Sequence, residues 1–193
     1  MKIITLLPER IIAINDFLSP VECQTLIDRA EGIGFEAASV GTKHGAEMRT
    51  DIRNNDRAIF DDQELAAEMW DRVAPFVPSP LWKRRAIGLN ERWRFYRYEA
   101  GQVFKRHQDG SIKREGDEKT QMTLLLYLNQ GCIGGQTRFY LHDRAEPLDV
   151  EPMQGMALLF LHTFWHEGTS VLEGQKYVLR SDVFYSAPEI TIS

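Results

Sequence analysis

Cysteine is nearly absent from this chain. The two that occur, Cys23 and Cys132, have no metal-site spacing and cannot build a disulfide framework. They read as two buried thiols in a protein that works in a reducing compartment. A secretory leader is not expected either, since MKIITLLPERII carries one early lysine and only a short apolar run before Pro8. No stretch approaches the roughly 20 apolar residues of a membrane span. A cytoplasmic location without a membrane partner is therefore expected. There is also no linker, repeat or low-complexity tract, and no basic excess: 28 acidic against 23 basic side chains leave a net charge of −5. That balance argues against binding dominated by phosphate backbones and makes nucleic acid an unfavoured partner. The triplet Lys83-Arg84-Arg85 reads as a solvated loop. What remains is an ordinary folded composition, 43% hydrophobic and 26% charged over 193 residues, which suits one domain covering 1–193.

Two helices announce themselves early. In LSPVECQTLIDRAEG, Ser19 can cap, Pro20 suits the first helical position and Glu22 completes a capping box. Leu26, Ile27 and Ala30 supply the buried stripe, and Gly32 is the expected stop. In FDDQELAAEMWDRVAPF, Asp61 or Asp62 can cap a second helix with Leu65, Met69 and Val73 inward, closed by Pro75 and Pro78. From about residue 88 the period changes to two. LNERWRFYRYE, QMTLLLYLN, GQTRFYLH, GMALLFLH and QKYVLRSDVFY all read as strands between Gly, Asp and Pro turns. Helices followed by antiparallel-type strands predict an α+β fold: a jelly roll over about 88–186 with helical support over about 1–87.

His107 and Asp109 flank one glutamine, so on a strand both side chains share a face. Alone, such a pair means little. His166, at the end of the strand FLHTFWHEG, supplies a second imidazole, and two histidines with one carboxylate form the facial triad that leaves coordination positions open for oxygen chemistry. His162 is the rival third ligand, or else a hydrogen-bonded histidine beneath the site. His44 and His142 read as surface residues. On the last strand, which should border the metal strand, Lys176, Val178, Arg180 and Asp182 alternate onto one face. A buried cation there could hold the distal carboxylate of an oxo-diacid.

Taken together, YEAGQVFKRHQDGS, TLLLYLN, GGQTRFY and GMALLFLHTFWHEGTSVLEGQKYVLRSDVFY resemble the prolyl 4-hydroxylase-like branch of the 2-oxoglutarate and Fe(II)-dependent oxygenases over residues 93–185. The resemblance implies a double-stranded β-helix (jelly roll) with N-terminal supporting helices. It implies His107, Asp109 and His166 as iron ligands, and Lys176 as partner of the 2-oxoglutarate 5-carboxylate. Tyr98 and Tyr127 fall where the family places tyrosines that hydrogen-bond the cosubstrate. Arg180, fourteen residues after His166, stands where other branches carry an anchoring arginine, so the anchor is Lys176 or Arg180, with Lys176 preferred. GGQT has glutamine where glutamate is usual, read as a surface change. The implied reaction consumes 2-oxoglutarate and O2, with ascorbate as an accessory reductant, and yields succinate, CO2 and a hydroxylated product. The substrate implied is a prolyl or other residue of a protein, or a free amino acid. MRTDIRNNDRAIFDD reads as a loop leading toward the barrel, and Arg49, Arg53 and Arg57 in it are candidates for meeting a substrate carboxylate or carbonyl. A nucleic-acid demethylase is the alternative within the superfamily, disfavoured by Ser186 where a second arginine would stand. A cupin-like metal module without turnover is the alternative outside it.

Overall fold

The expected capping box forms at the start of helix α1, Pro20–Ile33: the Glu22 amide donates to Ser19 Oγ (3.2 Å) and the Ser19 amide donates to the Glu22 carboxylate (2.7 Å). A cap of this kind contributes about 1 kcal/mol. The structure, a computed structural model, describes residues 1–42, 45–47 and 49–189, so His44 lies outside the described residues. Helix α1 buries Cys23, Leu26 and Ala30, and it runs past Gly32 to end at Gly34, whose φ of 88° is costly for a residue with a Cβ. Helix α2, Gln63–Val73, is capped by Asp62, which accepts from the Leu65 amide at 2.9 Å, and buries Ala66, Met69 and Val73. Each helix holds the other's capping acid. Arg29 of α1 pairs with Asp62 and Arg72 of α2 pairs with Glu22, both at 2.6 Å.

Strand is the commonest regular structure among the described residues, and every strand pairing there is antiparallel. A large sheet runs in the order Lys2–Leu7, Ile11–Asn15, Ala157–Leu161, Lys119–Tyr127, Lys176–Tyr185, Arg92–Tyr98, Asp56–Asp61, Glu36–Ala37, with Ala86–Leu89 also on Lys176–Tyr185. A smaller sheet runs Leu148–Val150, Thr137–Tyr140, Trp165–Gly168, Phe104–His107. The central strands are buried on both faces, so their alternation sorts side chains into two cores rather than core and solvent. Trp93, Phe95 and Leu179 join Leu26, Met69 and Val73 in a helix-backed core. Tyr96, Tyr98 and Val178 join Phe139, Leu141 and Val150 in a second core between the sheets. This two-sheet arrangement fits a jelly roll.

Several expectations need correcting. Residues 1–87 are not all helical support: Lys2–Leu7 and Ile11–Asn15 extend the large sheet beyond Ala157–Leu161, and Asp56–Asp61 pairs with Arg92–Tyr98. That last strand looked like a loop because its ends are charged. In register, however, Asp56 opposes Arg97 (3.1 Å) and Asp61 opposes Arg92 (3.1 Å), so cross-strand charge pairs stabilise it around a buried Ala58. In the triplet read as a loop, Lys83 and Arg85 are exposed but Arg84 is buried. Its guanidinium donates to the carbonyls of Asp117 (2.6 Å) and Ser186 (2.8 Å) and pairs with the Asp117 carboxylate (2.7 Å). Both cysteines are free, but only Cys23 is buried, Cys132 being half-buried. Among the described residues no helix is long and apolar enough to cross a membrane.

Candidate metal centre

Phe104–His107 and Trp165–Gly168 are neighbours in the small sheet, and their register sets His107 opposite His166. The two imidazoles are therefore cross-strand partners with ring centroids 4.3 Å apart. Asp109 follows two residues after His107, and its carboxylate, 3% exposed, lies 3.7 Å from Nε2 of each histidine. One ligand atom from each of the three residues falls within 4.8 Å of the others, so the group could hold a metal ion.

Local backbone sets the imidazoles' protonation. His107 Nδ1 donates to the Lys105 carbonyl (2.8 Å) and His166 Nδ1 to the Phe164 carbonyl (3.0 Å); a carbonyl only accepts, so the proton sits on Nδ1 and the Nε2 lone pairs are free. Burial, with His166 alongside, pushes His107 down to about 3, and burial likewise lowers His166, so both rings are neutral at physiological pH. Phe104 stacks on His107 at 3.6 Å and Phe160 meets His166 edge-on at 4.6 Å. Burial alone would raise the Asp109 carboxyl, but Arg180 and the neighbouring histidines hold it well below the usual carboxylate range. Arg180 Nη1 lies 2.7 Å from Oδ1 and the Thr123 hydroxyl donates to Oδ2 at 2.6 Å, so both oxygens are oriented. Two neutral imidazoles and one ionised carboxylate are a donor set that suits a divalent first-row cation.

The chain reaches this geometry differently from the sequence expectation. His166 does not end the strand that leads to His162. Ala157–Leu161 stops, the chain turns, and His166 lies on a separate strand in the other sheet. His162 stays behind, its Nε2 3.4 Å from Asp182 Oδ1, and is not part of the metal group. Nor does the last strand border the histidine strands. Lys176–Tyr185 pairs with Lys119–Tyr127, Arg92–Tyr98 and Ala86–Leu89 in the large sheet, and Lys176 and Arg180 line a small cavity of about 40 Å3 together with His107, Asp109 and His166.

The two candidate anchors on that strand differ in their partners. Arg180 is bound to Asp109 and, through Nη2, to Asp182 at 2.9 Å. Lys176 is 3% exposed and has no carboxylate within ion-pair distance among the described residues. Its ammonium donates to the Gly135 carbonyl (2.5 Å) and lies 5.4 Å from the ring centres of Tyr98 and Tyr127. Burial lowers its pKa to about 8. Gly135 has φ 71°, and a Cβ there would come 3.2 Å from Lys176 Cδ and 3.1 Å from Val171 Cγ2, so the absence of a side chain lets the lysine lie flat against this turn. Tyr98, its hydroxyl pushed up to about 12 by burial, lines the cavity, whereas the Tyr127 hydroxyl hydrogen-bonds Thr137 Oγ1 at 2.6 Å.

The three candidate substrate arginines separate. Arg49 is exposed and pairs with Asp51 at 2.9 Å, away from the site. Arg57 pairs with Glu36 at 3.2 Å. Arg53 is buried, and Arg53 and Arg57 line a second cavity that includes His107 and Asp109. Two polar neighbours escaped the sequence reading. Arg94, 2.9 Å from Asp182, shares a strand face with Tyr96 and Tyr98 and was findable by alternation. Thr123 lies inside an apolar strand and gave no chemical signal.

Residues 93–181 match the family model described as the 2OG-Fe(II) oxygenase superfamily. Prolyl 4-hydroxylase 1 of Arabidopsis thaliana is 28% identical over 199 residues, covering 87% of this chain and 66% of that protein, so the chain spans just under two thirds of its relative's length. Among solved structures, a Pseudomonas putida prolyl-4-hydroxylase aligns with TM-score 0.69 and 21% identity over 93% of this chain and 94% of its own. A Trichoplax adhaerens prolyl hydroxylase, in complex with a hypoxia inducible factor oxygen degradation domain peptide fragment, aligns with TM-score 0.72 and 20% identity over 93% and 86%. At those identities the structural likeness concerns the fold.

Proposed function

We propose, from the premise that this chain belongs to the 2-oxoglutarate and Fe(II)-dependent oxygenases and to their prolyl 4-hydroxylase-like branch, that it hydroxylates a prolyl or other amino-acid residue of a protein, or a free amino acid. One observation carries the reading: a two-histidine, one-carboxylate group shares a cavity with a buried lysine that has no carboxylate within ion-pair distance among the described residues. His107, Asp109 and His166 are the iron ligands. Lys176 anchors the 5-carboxylate of 2-oxoglutarate, with Tyr98 beside it. Arg180 is assigned a different task, because its guanidinium is already committed to two carboxylates: it orients Asp109. The names of the Arabidopsis and Trichoplax relatives favour a residue of a protein as substrate. The same reading takes the two sheets as a double-stranded β-helix in a single domain, and the two free thiols as fitting a cytoplasmic location.

Bound Fe(II) with 2-oxoglutarate and O2 supplies the oxidising power for C–H hydroxylation, releasing succinate and CO2, with ascorbate as an accessory reductant. The chain's own residues do the positioning. Phe104 and Phe160 pack against the imidazoles and fix their planes. Thr123 and Arg180 fix the carboxylate, and Gln108 ties the two ligand-bearing segments by donating to the Thr163 carbonyl (2.5 Å).

The test is to load the protein anaerobically with Fe(II) and 2-oxoglutarate, admit air, and measure succinate. Wild type is expected to form it and bind Fe(II), whereas His107→Ala and Asp109→Ala lose both. Absence of succinate and of 2-oxoglutarate binding in wild type, or full activity in either variant, overturns the proposal.

A further inference from the structure

Two cavities meet at the metal group. The one holding Lys176 and the larger one holding Arg53, about 870 Å3 including its open mouth, share Tyr96, Phe104, His107, Asp109 and Arg180. The larger cavity is lined by four arginines, Arg53, Arg57, Arg94 and Arg180, and by two acids, Asp109 and Asp182. Both acids are taken. Arg180 bridges them, Arg94 adds a second contact to Asp182, and Arg57 has Glu36. Arg53 is left over.

Its surroundings are unusual for a cation. Arg53 is 5% exposed, and no carboxylate lies within ion-pair distance of it among the described residues. Its guanidinium carbon is 4.2 Å from the Tyr96 ring centre and 4.3 Å from that of Phe104. Nε donates to the neutral Asn55 Oδ1 (2.6 Å), the Tyr96 and Tyr98 hydroxyls lie close enough to feel the guanidinium, and Nη2 is buried without a well-formed hydrogen bond. A guanidinium cannot shed its charge. The two rings offset part of its desolvation, but they leave an N–H unmet. Phe104 also stacks on His107, so a single aromatic ring separates this cation from a metal ligand. A dication held by His107, Asp109 and His166 would add to the cationic excess of the cavity.

We propose that the larger cavity recognises its substrate through a carboxylate seated on Arg53, so that the hydroxylated carbon belongs to a compound bearing an acid close to the oxidised position. This rests on the hydroxylase reading above and narrows it. A neutral peptide carbonyl would satisfy Nη2 and leave the charge unmatched, whereas a carboxylate does both. The acid is either the α-carboxylate of a free amino acid or an acidic side chain beside the target residue in a peptide. Asn55 and the two rings hold the guanidinium in place before the acid arrives.

Calorimetry on the protein loaded with Mn(II) and 2-oxoglutarate, which binds without turnover, separates these cases. The probes are the free L-amino acids against their carboxamides, and blocked tripeptide amides with glutamate against glutamine beside the central residue. In at least one pair the acid is expected to bind roughly tenfold to a hundredfold tighter than its neutral counterpart. Arg53→Gln should erase that difference, and Arg53→Lys should keep the preference for the acid at reduced affinity. The free-acid and peptide arms tell which source of carboxylate is used. Equal binding of acid and neutral partners, no binding of any acid, or a difference that survives in Arg53→Gln overturns the proposal. If Arg53→Gln does not fold, as thermal unfolding would reveal, loss of the acid preference in Arg53→Lys overturns it instead. Failure of the hydroxylase reading has a separate signature, the absence of succinate from wild type in air.

Discussion

The two faces of the strand Lys176–Tyr185 do different work. Tyr177, Leu179, Val183 and Tyr185 enter the helix-backed core, while Lys176, Val178, Arg180 and Asp182 face the cavity between the sheets. One face is hydrocarbon with satisfied hydroxyls. The other carries ionised groups in places where burying them is costly. The pleat alone separates stability from chemistry, so neighbouring residues should respond to substitution in different ways.

The largest contrast should come from Leu179→Ala. A fully buried leucine removed from the helix-backed core is expected to cost about 2–5 kcal/mol in urea unfolding, with 2-oxoglutarate affinity of the folded protein unchanged. A loss of cosubstrate affinity with intact stability would break the separation. Three residues earlier, Lys176→Met should do the opposite. It removes an ammonium buried with no carboxylate in ion-pair distance among the described residues, so stability is retained or rises, while 2-oxoglutarate binding by calorimetry weakens roughly tenfold to a hundredfold. Arg180→Met, by comparison, should weaken metal binding more than cosubstrate binding.

The smallest effect is one of pH. Burial lowers Lys176 to about 8, below its ordinary 10.5. Between those two values the native protein has released a proton that the unfolded chain still holds, so stability should rise with pH across that window. Below about 8 the buried charge is present and its cost is felt. Affinity for 2-oxoglutarate should run the other way and decline as pH passes about 8, a slope that Lys176→Met abolishes. Cosubstrate titrations from pH 7 to 9.5 would show it, and a flat profile in wild type would separate Lys176 from the carboxylate.

How much of this could be read beforehand depends on how local each signal is. The capping box of α1 needs only four residues in a row, and it stood as read. Alternation placed Lys176, Val178, Arg180 and Asp182 on one face, because period two is a property of a single strand. It could not say which sheet a strand joins. That is why His166 appeared to end the strand before it, and why Lys176–Tyr185 was expected beside the histidines rather than in the opposite sheet. Charge pairing is equally non-local. Arg84 looked solvated until Asp117 and Ser186, both distant in sequence, came to it, and Asp56–Asp61 looked like a loop until Arg92 and Arg97 lay opposite. On paper Lys176 is preferred to Arg180 only by its spacing from His166; Asp109 and Asp182 separate the two cations in the folded chain.

The carbonyls of Lys105 and Phe164 have one more consequence. Each lies two residues before its histidine and holds the Nδ1 proton, and Asp109 is already ionised. At neutral pH none of the three side chains would have to give up a proton for a cation to bind. Metal uptake should then be insensitive to acidity over the physiological range, because the folded backbone already holds the deprotonated forms that a flexible set of ligands would have to reach during capture.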